Sequence, residues 1–121
     1  MKKILLIEDE KMLAEMYVQK FSEEGFEIIS VISAEEGLEL AKKEKPDLIL
    51  LDILLPVKNG IFFLEELKKE PEISQIPVIA LSNYEHPETK KLAFQLGVKD
   101  YLIKTNFTPK EIVEKIKEYS K

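Results

Sequence analysis

The chain has 121 residues, 45% of them hydrophobic and 34% charged, which suits one soluble globular domain with a single core and excludes a disordered chain. It has no cysteine, so disulfides and thiolate metal sites are excluded, and a net charge of -5 with Lys and Glu interleaved leaves no basic stripe for a phosphate backbone. Its apolar runs are too short to cross a bilayer and the basic start is soon halted by Glu8, so the expectation is a single cytoplasmic domain over 1–121 that touches neither membrane nor nucleic acid directly.

The first apolar run, Ile4 to Ile7, is strand-like and drives straight into Glu8 and Asp9. Met12, Leu13, Met16, Tyr17 and Phe21 follow at helical spacing, predicting an amphipathic helix that stops near Gly25. A second strand, Ile28 to Ile32, leads to Ser33, and Glu36 three residues on completes a capping box for a helix with Ala34, Gly37, Leu38 and Ala41 inward. The third strand, Leu48 to Leu51, ends in Asp52, and the fourth, Val78 to Leu81, ends in Ser82. His86, the one histidine, precedes Pro87 at a helix start and reads as a surface cap. In that fourth helix Leu92, Ala93 and Leu96 are expected inward, Phe94 outward as a contact residue, and Gly97 at the end. The fifth strand, Tyr101 to Ile103, ends in Lys104. Thr108 with Glu111 and Pro109 then open a last helix whose inward face is Ile112, Val113, Ile116 and Tyr119.

Strand alternating with helix five times predicts right-handed crossovers and a parallel sheet covered on both faces, a doubly wound α/β domain. In such a sheet the ligand site lies beyond the carboxyl ends of the strands. Four of the five strands deliver Glu8 and Asp9, Asp52, Ser82 and Lys104 to that edge. Taken singly, the acidic pair would serve a helix dipole and Ser82 a helix cap; their common edge favours a site. Converging carboxylates repel one another, and Lys104 supplies one compensating charge. A hard divalent cation with oxygen ligands, magnesium, would supply the rest and handle phosphate, with a carboxylate as the nucleophile that forms an aspartyl phosphate.

In this order and spacing, Glu8-Asp9, Asp52-Ile53-Leu54-Leu55-Pro56 with Asn59-Gly60, Ser82, and Asp100-Tyr101-Leu102-Ile103-Lys104 resemble the receiver domain of two-component response regulators over essentially the whole chain. The resemblance implies a flavodoxin-like three-layer (βα)5 sandwich with strand order 2-1-3-4-5. It further implies a signalling switch with weak intrinsic phosphotransfer and self-dephosphorylation, not a dedicated enzyme. Asp52 would be the phosphoacceptor, with Lys104 and Ser82 on the phosphoryl group. Magnesium would be held by Asp9 and Asp52, by Glu8 partly through water, and by the backbone carbonyl of Leu54. Tyr101 would change rotamer with Ser82 on activation, and Phe94 and Tyr101 would belong to the interaction surface. The implied partners are a histidine kinase or phosphotransfer protein as donor and a separate output protein met by the fourth helix, fifth strand and fifth helix, with a homodimer on activation. Leu54 and Tyr84 would flank the path of the hydrolytic water and slow dephosphorylation.

The pattern departs from the family at one position, where the lysine's usual cis-proline successor is replaced by Thr105, so a trans peptide is expected. An alternative is a degenerate receiver acting as a phosphorylation-independent interaction module. A phosphatase of the haloacid dehalogenase type would want an Asp where Leu54 stands, and a flavin-binding domain would not place Glu8, Asp9 and Glu10 at its phosphate loop.

Overall fold

A computed structural model describes residues 2–55, 58–83 and 85–119. The elements run β1 (Lys3–Ile7), α1 (Lys11–Glu23), β2 (Glu27–Val31), α2 (Ala34–Glu44), β3 (Leu48–Asp52), α3 (Gly60–Lys68), β4 (Val78–Ser82), α4 (Pro87–Gln95), β5 (Asp100–Ile103), a 3₁₀ turn (Lys104–Asn106) and α5 (Pro109–Tyr119). All strand pairs are parallel and the sheet order is β2-β1-β3-β4-β5, the order the resemblance implies. The strand runs lack polar alternation because both faces of the sheet are covered. Leu5, Ile7, Ile49, Leu51, Val78 and Ala80 pack into one core layer with Phe63 and Leu67 of α3 and Ala93 of α4. Their neighbours Ile4, Leu6, Leu48, Leu50, Ile79 and Leu81 face the other way, toward Tyr17 and Phe21 of α1 and Ile112 and Ile116 of α5.

Of the two expected capping boxes, that of Thr108 and Glu111 closes on both sides, while at Ser33 the backbone cap forms and the Glu36 carboxylate accepts from the Ser33 hydroxyl at 3.2 Å. Ser33 Oγ accepts the Glu36 N–H at 3.2 Å, and Thr108 and Glu111 exchange side-chain bonds with each other's backbone N–H at 3.2 and 2.8 Å. Gly25 and Gly97 follow the ends of α1 and α4 with φ of 88° and 101°, and Pro109 opens α5. Asn59, whose cap was not anticipated, accepts the Phe62 N–H at 3.1 Å and starts α3. Behind it Gly60 donates its N–H to the Ile53 carbonyl at 2.8 Å, and a Cβ there would lie 2.8 Å from the Ile53 Cα. Only glycine therefore lets α3 begin so close to the backbone that leaves Asp52.

Three helix faces differ from their expected form. On α1 the buried seam runs through Ala14, Tyr17 and Phe21, leaving Met12 77% and Met16 46% exposed, because the apolar residues span a wider arc than the sheet and α5 cover. On α4 only Ala93 is fully buried; Leu92 faces solvent beside Phe94. Tyr119, at the last turn of α5, is also exposed, and its hydroxyl donates to Asp100 at 2.7 Å. β2 stops at Val31, one residue short of the expected end, and Ile32 is 60% exposed at the edge of the sheet.

Candidate functional site

β1 and β3 are neighbours, and the chain leaves β1 toward β2 on one side and β3 toward β4 on the other, so the two connections diverge and open a crevice above their carboxyl ends. Glu8 and Asp9 follow β1, Asp52 is the last residue of β3, Ser82 ends β4, and Lys104 follows β5. The sheet register sets these heights, with Asp52 opposite Leu81 and Ser82 opposite Ile103.

Four of these side chains are polar groups held inside the fold: Glu8 is 0% exposed, Ser82 0%, Asp52 3% and Lys104 8%. A buried charge needs a partner, and here one cation serves two anions. Lys104 Nζ donates to Glu8 Oε1 at 2.6 Å and stands 3.3 Å from Asp52 Oδ2. Each carboxylate also caps its own loop. Glu8 Oε2 accepts the Glu10 N–H and Asp52 Oδ1 the Leu54 N–H, both at 3.1 Å. Asp9 is exposed, yet oxygens of Glu8, Asp9 and Asp52 all come within 4.8 Å of one another. This set, all oxygens and partly open to solvent through Asp9, fits a hard divalent cation.

Burial pushes the Glu8 carboxyl up to about 7; the hydrogen bond from Lys104 opposes that rise and the Asp52 charge adds to it. For Lys104 burial acts to lower the pKa, but the Glu8 hydrogen bond and the charges of Asp52 and Glu8 outweigh it, so the ammonium is held above its ordinary value. Tyr17, beneath the site on the α1 side, is pushed up to about 12 by burial and then by the charges of Glu8, Asp52 and Glu10, so its phenol stays neutral.

The remaining expected residues separate into two groups. Tyr101 is buried in the layer that holds Ala80 and Ala93, and its hydroxyl has no hydrogen-bond partner among the described residues. Phe94 is 43% exposed on α4, and the Leu54 side chain is exposed beside the site. Pro56 and Tyr84 lie outside the described residues. No cis peptide bond occurs among the described residues, so the Lys104-Thr105 bond is trans, as expected. The 2.6 Å contact between Lys104 and Glu8 was not foreseen from the sequence, which gives the lysine only as a charge compensating the converging carboxylates and as a contact of the phosphoryl group. Its only signal was a Glu at the end of an apolar strand, a longer reach than Asp offers.

The chain belongs to the response regulator receiver domain family, whose family model matches residues 4–117. It is therefore a signalling domain of the two-component response regulator type. The alkaline phosphatase synthesis transcriptional regulatory protein PhoP of Bacillus subtilis is 33% identical over 116 residues, 96% of this chain and 47% of that protein. The chain thus spans about half the length of the curated relatives it matches. The response regulator receiver domain protein (CheY-like) of Methanospirillum hungatei superposes with a TM-score of 0.90 at 29% identity, covering 99% of this chain and 94% of that one. The Mn(2+)-bound form of response regulator Rcp1 gives a TM-score of 0.85 at 27% identity over 98% and 94% of the two chains. No helix among the described residues is long and apolar enough to cross a membrane.

The raised Glu8 pKa fixes a sign. The unfolded carboxyl titrates near 4.5 and the folded one near 7, so between them the folded state holds the extra proton. Glu8 therefore contributes stability that is full below about 4.5 and is lost as pH rises through about 7. In metal-free buffer, the stability of the wild type relative to Glu8→Gln should fall between pH 5 and 8, measured by urea unfolding. A difference that rises with pH would show that Glu8 is ionised throughout.

Proposed function

We propose that this domain is a phosphorylation switch in which Asp52 accepts a phosphoryl group from a phosphohistidine on a partner histidine kinase or phosphotransfer protein. The observation that carries the reading is the placement of Asp52, buried at a strand end, 3.3 Å from Lys104 and clustered with Glu8 and Asp9. An Asp52 oxygen attacks phosphorus, the P–N bond to the imidazole breaks, and the ring nitrogen leaves with the electron pair. Lys104 stands where it offsets the added negative charge, and Ser82 at the end of β4 donates a hydrogen bond to a phosphoryl oxygen. Asp9, Asp52, Glu8 and the Leu54 carbonyl would hold magnesium, which supplies charge neutralisation for phosphate. The Mn(2+)-bound form of Rcp1, which shares the fold, supports a divalent cation here.

Hydrolysis returns the carboxylate when water attacks phosphorus. Leu54, exposed beside the site, offers no group to orient that water, so self-dephosphorylation is slow. The output surface is the face of α4, β5 and α5, where Leu92, Phe94 and Tyr119 are exposed and Tyr101 is buried. Tyr101, whose hydroxyl has no partner among the described residues, is the residue expected to change rotamer with Ser82 on activation, and the same face serves a separate output protein or a second activated copy. The relatives named as transcriptional regulatory proteins fit a signalling role in the cytoplasm.

Incubation with acetyl phosphate and magnesium should add one phosphoryl group to the wild type by intact mass, and none to Asp52→Asn. Leu54→Asn should lose its label faster than the wild type. Labelling of Asp52→Asn removes the assignment, an unlabelled wild type favours the degenerate receiver, and equal rates of loss free Leu54 from the water path. Magnesium should also raise the melting temperature of the wild type by mass action, and much less that of Asp9→Ala. Equal shifts in both proteins would take Asp9 out of the metal site.

A further inference from the structure

Lys104 is the first residue beyond the sheet. β5 ends at Ile103, whose register partner Ser82 is the last residue of β4, so the lysine is carried by the backbone one residue past the paired strands. Yet its ammonium is held at 2.6 Å from Glu8 and 3.3 Å from Asp52 at the end of a long, flexible side chain. There the backbone enters the 3₁₀ turn Lys104–Asn106, closed by the Phe107 N–H donating to the Lys104 carbonyl at 3.3 Å. Thr105 and Asn106 in that turn are exposed and bury nothing. Phe107 is half-buried, packs against the layer of Tyr17, Phe21, Ile112 and Ile116, and carries Lys115 of α5 over its ring at 5.6 Å. The next residue, Thr108, begins the capping box of α5.

We infer that Phe107 is a positioning residue for Lys104: its ring, packed against the core layer of α1 and α5 and lying under Lys115, anchors the turn that aims the one cation shared by Glu8 and Asp52. Without the anchor, Lys104 exchanges its two buried acceptors for water, and the carboxylates lose their internal cation. Phosphoryl uptake then slows because the charge added at Asp52 is no longer offset, while a divalent cation binds more tightly because a competing positive charge has left. These opposite signs distinguish positioning from simple loss of packing, which lowers the melting temperature but leaves the cation affinity of the folded protein unchanged. The magnesium arm rests on the reading of the acidic cluster as a metal site; the placement of Lys104 does not.

The test is a metal-free ¹H–¹⁵N measurement of the lysine ammonium groups at neutral pH, followed by magnesium titration, in Phe107→Ala, Phe107→Leu and Asn106→Gly. A buried, hydrogen-bonded ammonium exchanges slowly and gives its own signal, assigned by its loss in Lys104→Ala. That signal should vanish in Phe107→Ala, persist in Phe107→Leu, which keeps an apolar anchor, and weaken in Asn106→Gly, which loosens the turn without touching the core. Magnesium affinity should rise severalfold in Phe107→Ala, and the same substitution should add nothing in a Lys104→Ala background. A wild-type ammonium signal in both Phe107→Ala and Asn106→Gly, or an affinity change of equal size in both backgrounds, overturns the inference. Absence of magnesium binding by the wild type overturns the metal reading instead, and the ammonium signal then decides the placement of Lys104 alone. If Phe107→Ala does not fold, Asn106→Gly and Phe107→Leu decide it, and equal signals in those two count against it.

Discussion

One buried ammonium shared by two buried carboxylates is the constraint on which the rest of the structure depends. Taken out of water, Glu8 and Asp52 repel each other, and burial favours the neutral form of Glu8; Lys104 is the one group within reach, among the described residues, that offsets both charges. The cluster is therefore under tension even with the lysine in place, which is why burial carries the Glu8 carboxyl to about 7 while Lys104 stays firmly protonated. A site with excess negative charge and oxygen ligands is poised to take up a cation, and once neutralised it can accept an anion. In the proposed function, metal uptake and phosphoryl uptake would be two responses to a single imbalance of charge.

The fold serves that constraint through topology and register. Because the connections leaving the neighbours β1 and β3 run to opposite sides, the acids of β1 and β3 meet at the point where those connections part. β4 and β5 extend the same edge and present Ser82 and then, one residue past the ladder, Lys104. Gly60 brings α3 against the Ile53 backbone, and Asn59 caps it, so the loop after Asp52 is held from both sides. The core layers on the two faces supply the rigidity, and the polar groups at the edge are borne by it.

The sequence carried the strands, their order through the resemblance, and the edge at which Glu8, Asp9, Asp52, Ser82 and Lys104 gather, because in a parallel sheet a continuous apolar run that ends in charge delivers that charge to the carboxyl edge. It was less legible where a residue's environment depends on a neighbour far along the chain. Met12 and Met16 fit an apolar helical stripe as well as Tyr17 does, and only the position of α5 decides which of them is covered. Leu92 likewise depends on how deeply α4 seats. The choice of Glu8 over Asp52 as the closest acceptor of Lys104 spans 96 residues and turns on side-chain reach, which periodicity does not encode. The turn after Lys104 was marked by the absence of proline, but its closure by the Phe107 N–H depends on how Phe107 seats against the core, which local sequence does not encode.

The most direct measurement of the central claim is the unfolding free energy of Lys104→Met at pH 8 in the absence of divalent cations, beside that of Lys104→Met combined with Glu8→Gln. If the shared ammonium holds the cluster together, the single variant loses stability on the order of 3 kcal/mol, the usual scale for an uncompensated buried charge, and the added Glu8→Gln restores a large part of it. A single variant as stable as the wild type, or a double variant less stable than the single one, would contradict the account.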